Sequence, residues 1–516
     1  MRRLLLLPAL LLPLAACSGL TAPAAAPSVP AARSVPNDEL RGLLLLMVDQ
    51  QRFDPFTVET ALAGPPALRS ELAVTLGRAG DRRAVSYLAQ LVGDPEAEVR
   101  RAAAFAFGEL ALERTDAETA ARNLLVATVD ADRETGRLAV EALGKVGVAV
   151  VEVARALTVP APLTGAELDE GERWARLLPG LFRFDEADAV PLALGGLAYS
   201  DSAADPELRR WAVFALARTP REAGLPKLRE LLADPDPRVR GWAARAVGML
   251  GDGSDLVRLL PLVAPATSGD DAEHSDAPVV QALRAAAALA DKGASEPPPG
   301  WHAALLAVAA DPRPQVRLEL LDRVAPWLPA GDAGADSAPA AELLAWVAGR
   351  ADATAAEGGE IATAERAAAL LALAARRGTP GAATVTRVEN AAGDDDPQIR
   401  AAAAAAAAHL PGAAAEPLLE NLLADPEPQV KSAVAAAVLA RLDDDASPAA
   451  AAVVASLARI PDAGVQALAY GWLADHPVVP YAELRPGALK ALAAGNVETA
   501  GEVLRALGAR GAAAGG

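Results

Sequence analysis

The sequence predicts an all-α solenoid, in which one helix pair is stacked many times along the chain. The first observation is a heptad that returns: DPEAEVR at Asp94 to Arg100, DPDPRVR at Asp234 to Arg240, DPRPQVR at Asp311 to Arg317, DDDPQIR at Asp394 to Arg400 and DPEPQVK at Asp425 to Lys431. A unit that recurs in this way marks one supersecondary element used as a repeat. The second is composition: the chain is 52% hydrophobic, yet it has only 7 Trp, 7 Phe and 4 Tyr. Ala, Leu and Val must then supply the packing; Ala and Leu rank high in helix propensity, and strand formers are too sparse for a β-domain. The third is the helical spacing of apolar residues after each heptad, as in Val99, Ala102, Ala103 and Ala106. Length, at 516 residues, therefore counts repeats rather than separate domains.

Taken in chain order, residues 1–17 read MRRLLLLPALLLPLAAC. Two arginines, an apolar run from Leu4 to Ala16 and a small-residue exit are the layout of a secretory signal, too short to span a bilayer. Leu14-Ala15-Ala16-Cys17 resembles the bacterial lipoprotein box, which implies cleavage before Cys17 and a stable anchor of several acyl chains on that residue. Cys17 is the only cysteine, so disulfides play no part. The alternative is an ordinary secretory signal cut near Ala24, with Cys17 discarded. Ser18, in place of Asp, resembles the outer-membrane sorting pattern, so the expected location is the cell envelope, facing the periplasm. Residues 18–38, rich in Ala, Pro and Ser, are expected to form an extended tether.

Within each heptad, Asp94 is expected to cap a helix, Pro95 to occupy its first position and Glu96 and Glu98 to complement its dipole. Gly108 lies where that helix should end. Val239, Trp242, Ala243 and Ala246 lead to Gly248 in the same frame, and Leu208, Trp211, Ala212 and Ala215 lead to Ala217, which places Trp211 and Trp242 in the core. The copy at Asp130 to Gly136 lacks the basic residue. A second helix follows the turn, as in Gly80 to Val92. These residues resemble HEAT repeats, in the short form found in many bacterial proteins and in phycobiliprotein lyases. The resemblance spans about residues 39–510, room for about a dozen units. Polar insertions near 265–278, 329–339 and 351–360 are expected to be loops, and 511–516 a disordered tail.

The resemblance implies that the opening acid and closing base of the heptads, Asp94, Arg100, Asp234, Arg240, Asp311, Arg317, Asp425 and Lys431, form a structural ladder between repeats. Arg101, Phe105, Arg210, Phe214 and Arg245 fall off the apolar stripe, on the helix that such arrays usually turn inward, and are the candidate protein-binding residues. His274, His302, His409 and His476 stand isolated, with no metal-ligand spacing, and there is no HExxH, Gly-rich phosphate loop or GxSxG elbow. The expectation is a protein without catalytic residues, metal or cofactor. A net charge of −19 argues against nucleic-acid partners. The sequence thus predicts a lipid-anchored scaffold for protein or peptide partners. Glu39 to Pro55 and Leu76 to Leu110 are also similar to the helical part of bacterial lipoproteins that join HEAT repeats to a cyclophilin-type prolyl isomerase. This implies an alternative chaperone role, with a catalytic domain supplied elsewhere, since no stretch here carries a cyclophilin barrel. A bilin-lyase-like accessory enzyme is a third reading, disfavoured by secretion.

Overall fold

The computed structural model describes residues 35–161, 165–184, 187–264, 276–294, 296–330, 337–353, 359–442, 447–476 and 478–514. Cys17 and the leader lie outside the described residues, as does the tether up to residue 34. Among the described residues there are 27 α-helices, short 3-10 turns and no strand. None of these helices is long and apolar enough to cross a membrane. The chain divides into two compact units, Met1–Leu228 and Arg229–Gly516.

In the first unit the helices Asn37–Asp49, Pro66–Ala79, Ala97–Glu109 and Arg133–Val146 stack one on the next, and Ala84–Leu91, Arg114–Ala127 and Val150–Ala156 form a second layer. The 3-10 turn Leu178–Arg183 then packs between Arg133–Val146 and Pro206–Arg218. In the second unit the stack runs through Pro237–Leu250, Asp276–Asp291, Pro314–Val324, Gly359–Ala375, Pro397–Ala407, Pro428–Leu442, Ala463–Asp475 and Val497–Ala514. Each unit is thus an α-solenoid of helix pairs. Its core is made of Ala, Leu and Val, as at Val99, Ala103, Ala104 and Ala106, joined by Phe107.

The heptads open their helices two residues later than the sequence suggests. Asp94 is not the cap: its carboxylate accepts from the Glu96 N–H at 2.9 Å, and the helix begins at Ala97. Asp234, Asp394 and Asp425 close the same two-residue turn at 2.9 Å. Where the third heptad residue is aspartate it does the capping, with Asp236 accepting from Arg238 N–H and Asp396 from Gln398 N–H, both at 2.8 Å, whereas the Glu96 side chain makes no capping bond. The proline in the first helical turn is accordingly the one at the fourth heptad position, Pro237, Pro314, Pro397 or Pro428. An Asp side chain bonds the backbone two residues on as readily as it caps, and the first carboxylate is needed elsewhere.

The recurring glycines also differ in role. Gly77, Gly108 and Gly248 lie inside their helices, where a Cβ on Gly77 would sit 2.9 Å from the Ala106 backbone and one on Gly248 would sit 2.6 Å from Ala285 Cα. They are small because stacked helices touch there. Helix termination falls instead to Gly80 and Gly147, whose φ of 70° and 89° suit glycine.

Three further expectations are corrected. Trp211 and Trp242 are half-buried, like Ala102, because the buried arc lies one row further round the helix. Residues 276–278, 338–339 and 359–360, assigned to insertions, begin helices, while 265–275, 331–336 and 354–358 lie outside the described residues. The last helix runs to Ala514, into the segment read as a tail, consistent with the high helix propensity of its alanines; Gly515 and Gly516 lie outside the described residues.

Candidate protein-binding face

The basic residue that closes each heptad reaches two ways. Arg100 Nη1 donates to the carbonyls of Asp94 at 2.8 Å and Pro95 at 2.9 Å, while its Nε and Nη2 grip both oxygens of Asp130 in the next repeat at 2.8 and 2.9 Å. Arg400 does the same, holding its own Asp394 carbonyl at 2.9 Å and the Asp425 carboxylate at 2.7 and 3.0 Å. Arg69 holds Asp94 at 2.7 Å. Arg240 bonds the carbonyls of Asp234 and Pro235 at 2.8 and 2.9 Å. The row bends at Arg317, which bonds its own Asp311 carbonyl at 2.7 Å and pairs with Glu365 at 2.7 Å in place of a heptad acid, while the Asp311 carboxylate is held by Arg313 at 2.8 Å. Lys431 is half-buried, and its charge helps to hold the Asp425 carboxyl down.

The copy without a basic residue is completed from outside. Gly136 stands where the arginine would be, and Arg176, from the helix Glu170–Leu177, donates from Nη1 to the carbonyls of Thr128 and Asp130, both at 2.8 Å. A Cβ on Gly136 would meet that Nη1 at 2.5 Å. The glycine clears the path for an arginine 40 residues further on.

Three acids of the row are held below the usual carboxylate range, each chiefly by an arginine: Asp94 by Arg69, Asp311 by Arg313 and Asp425 by Arg400. A carboxyl whose folded pKa is depressed contributes stability above its unfolded pKa of about 4 and loses it as pH falls through the folded value. The urea midpoint should therefore hold from neutral pH to about 5 and fall steeply below about 4. A midpoint unchanged down to pH about 3 would mean that these pairs do not stabilise the stack.

One row further round, the ladder helices present the candidate binding residues. Arg101 is exposed and holds Asp132 through two bonds, at 2.8 and 2.6 Å. The Lys145 ammonium lies 5.5 Å from the centre of the half-buried Phe105 ring and bonds Glu109 at 2.8 Å. Arg210 is half-buried, and Arg245, in the second unit, is exposed. Phe214 packs edge-on against Phe182 at 5.3 Å and Trp211 at 5.8 Å, all three half-buried, with Arg183 4.5 Å above the Phe182 ring. Phe182 was missed in the sequence because it lies in a 3-10 turn with no heptad to mark it. Such an aromatic and arginine cluster is the residue chemistry enriched at protein interfaces. Among the described residues no group of His, Cys, Asp and Glu could hold a metal ion.

The HEAT-repeat family model matches residues 57–144 and 197–275, so the helix pairs in those two stretches are similar to HEAT repeats. No curated protein matches the chain. Similar solved structures include the Escherichia coli protein YibA, 18% identical over 52% of this chain and 89% of that one, with a TM-score of 0.33. An engineered protein is 17% identical over 83% of this chain and 98% of that one, with a TM-score of 0.26. The karyopherin Kap121p bound to the extreme C-terminus of the protein phosphatase Cdc14p is 12% identical over 85% of this chain, with a TM-score of 0.39. The chain spans about half the length of that karyopherin, 51%.

Proposed function

We propose that this chain is a protein-binding scaffold, that its first unit engages partners through the Phe182, Trp211 and Phe214 cluster with Arg183 and Arg210, together with Arg101 and Phe105 on the ladder helix Ala97–Glu109, and that Cys17 tethers it to the cell envelope by lipid. The observation that carries the reading is the half-exposed aromatic cluster on a ladder helix, in a fold that repeats one packing unit and presents an extended surface. Surface pairs such as Arg101 with Asp132 contribute little to stability, so a partner's carboxylate can take the guanidinium over at small cost. Arg245 offers the same chemistry on the second unit.

Affinity capture with the chain from residue 18 onward tests the scaffold reading. Phe214→Ala should weaken a captured partner about tenfold, the cost of losing an interface anchor. Arg101→Glu with Arg210→Glu should weaken it further while helicity stays unchanged. Capture that is indifferent to all three changes would remove this face as the site.

The lipid anchor rests on the LAAC motif. A tagged fatty acid should label the wild type and not Cys17→Ala; equal labelling would end the anchor reading. Accessory service to a separate prolyl isomerase remains the second reading, favoured by the Glu39–Pro55 and Leu76–Leu110 similarity. It predicts that an isomerase is among the captured partners.

A further inference from the structure

We propose that a recess in the second unit, walled by the helices Gly412–Leu423 and Pro448–Leu457 and floored by Pro428–Leu442, seats a short amphipathic helix of a partner protein whose apolar face is bordered by Lys or Arg. The proposal rests on the scaffold reading above and assigns it a second, separate seat. The flanking helix Ala382–Ala392 packs against Gly412–Leu423, but between Gly412–Leu423 and Pro448–Leu457 the layer opens into a recess of about 690 Å³. Its walls are Leu419 and Leu423 on one side and Val453 and Leu457 on the other, and Val434 and Val438 form the floor. Val453 is 44% exposed, an apolar wall residue left without cover.

The rim decides the charge of the occupant. Glu416 and Glu420 lie one turn apart on the same helix, both exposed, and neither makes an ion pair among the described residues. The basic residue at the recess, Arg441, is already engaged: its Nη1 donates to the carbonyls of Ala407, Ala408 and Leu410 at 3.2, 3.2 and 2.7 Å, closing the end of the helix Pro397–Ala407. Arg441 keeps its charge, but two carboxylates against one guanidinium leave the rim net negative, so it complements a cationic partner. The wall from Glu416 to Leu423 runs about 10 Å, two helical turns, which matches apolar anchors at i, i+3 or i+4, and i+7, and the facing wall runs from Val453 past the end of its helix at Leu457 to Ile460.

The test uses the chain from residue 18 onward and a fluorescent Leu/Lys peptide patterned as an amphipathic helix, with a peptide of the same composition and scrambled order as control. The patterned peptide should bind at least about tenfold tighter than the scrambled one. Glu416→Lys with Glu420→Lys should weaken it about tenfold. Ser456→Trp fills the recess without changing charge, and should weaken it as much while helicity is retained; hydrogen exchange should slow on binding at residues 412–460. If the scrambled peptide binds equally, or Ser456→Trp binds as the wild type does, the peptide is held by net negative charge alone and the proposal falls. It also falls if the chain self-associates and Ser456→Trp abolishes that, since the occupant is then a second copy. Partners from the affinity capture that Phe214→Ala weakens and Ser456→Trp does not would leave the scaffold reading standing while this seat failed. Loss of the scaffold reading would show instead as no partner captured by any form.

Discussion

Gly248→Val should lower the stability of the second unit by about 3 kcal/mol, the upper range for forcing volume into a packed contact. A Cβ at position 248 would lie 2.6 Å from Ala285 Cα and 2.8 Å from Ala285 Cβ. The first of these is backbone, so no rotamer change relieves it, and the helices Pro237–Leu250 and Asp276–Asp291 must move apart. Helix propensity works in the other direction, since glycine is about 1 kcal/mol worse than alanine inside a helix. Gly248→Ala therefore separates the two effects: it should still destabilise, but by less than the valine. Because each repeat contacts mainly its neighbours, hydrogen exchange should quicken most in those two helices. An unchanged denaturation midpoint in both variants would show that the helices can part without loss.

Arg176→Met should cost about 3 kcal/mol, the range for removing one partner of a buried charged network. The side chain is 2% exposed, and its Nη1 is the donor that the Thr128 and Asp130 carbonyls share. Burial pulls the Arg176 pKa down, opposed chiefly by Glu172, yet an arginine starts so far above neutral pH that it stays charged. Methionine keeps much of the volume and removes the donor, so the loss reports on the hydrogen bonds. Gly136→Ala should mimic part of it from the opposite side, as its Cβ would press on Arg176 Nη1 and on the Thr128 carbonyl at 2.7 Å. Losses in the two variants should be less than additive, because both disturb one contact. Full additivity would mean that Gly136 and Arg176 act separately.

The residues of the proposed face are legible in the sequence as positions, not as a site. Arg101, Phe105, Arg210 and Phe214 were picked out by their place off the apolar stripe, and the structure puts each on the exposed or half-buried side of its helix. The sequence did not show that Phe214 gathers Phe182 and Trp211 around it, since those contacts join elements whose spacing no periodicity encodes. The recess at Glu416 to Ile460 was equally invisible, because it is made by the separation of two helices rather than by any residue pattern.

By itself the sequence determined that the chain is a stack of helix pairs, and to within a few residues where the helices opened by a heptad begin. The heptad, the alanine-rich stripes and the scarcity of strand formers act within a single turn or helix, and such local preferences survive whatever the neighbours do. The tertiary structure decided what each marked residue is for. Asp94 became the rung for Arg69, 25 residues away, instead of a cap; Gly77 and Gly248 became contact points instead of helix ends; and Gly136 became the passage for Arg176. Those roles depend on which atoms meet when repeats stack, and stacking register is a property of two helices at once, so one helix's sequence cannot hold it.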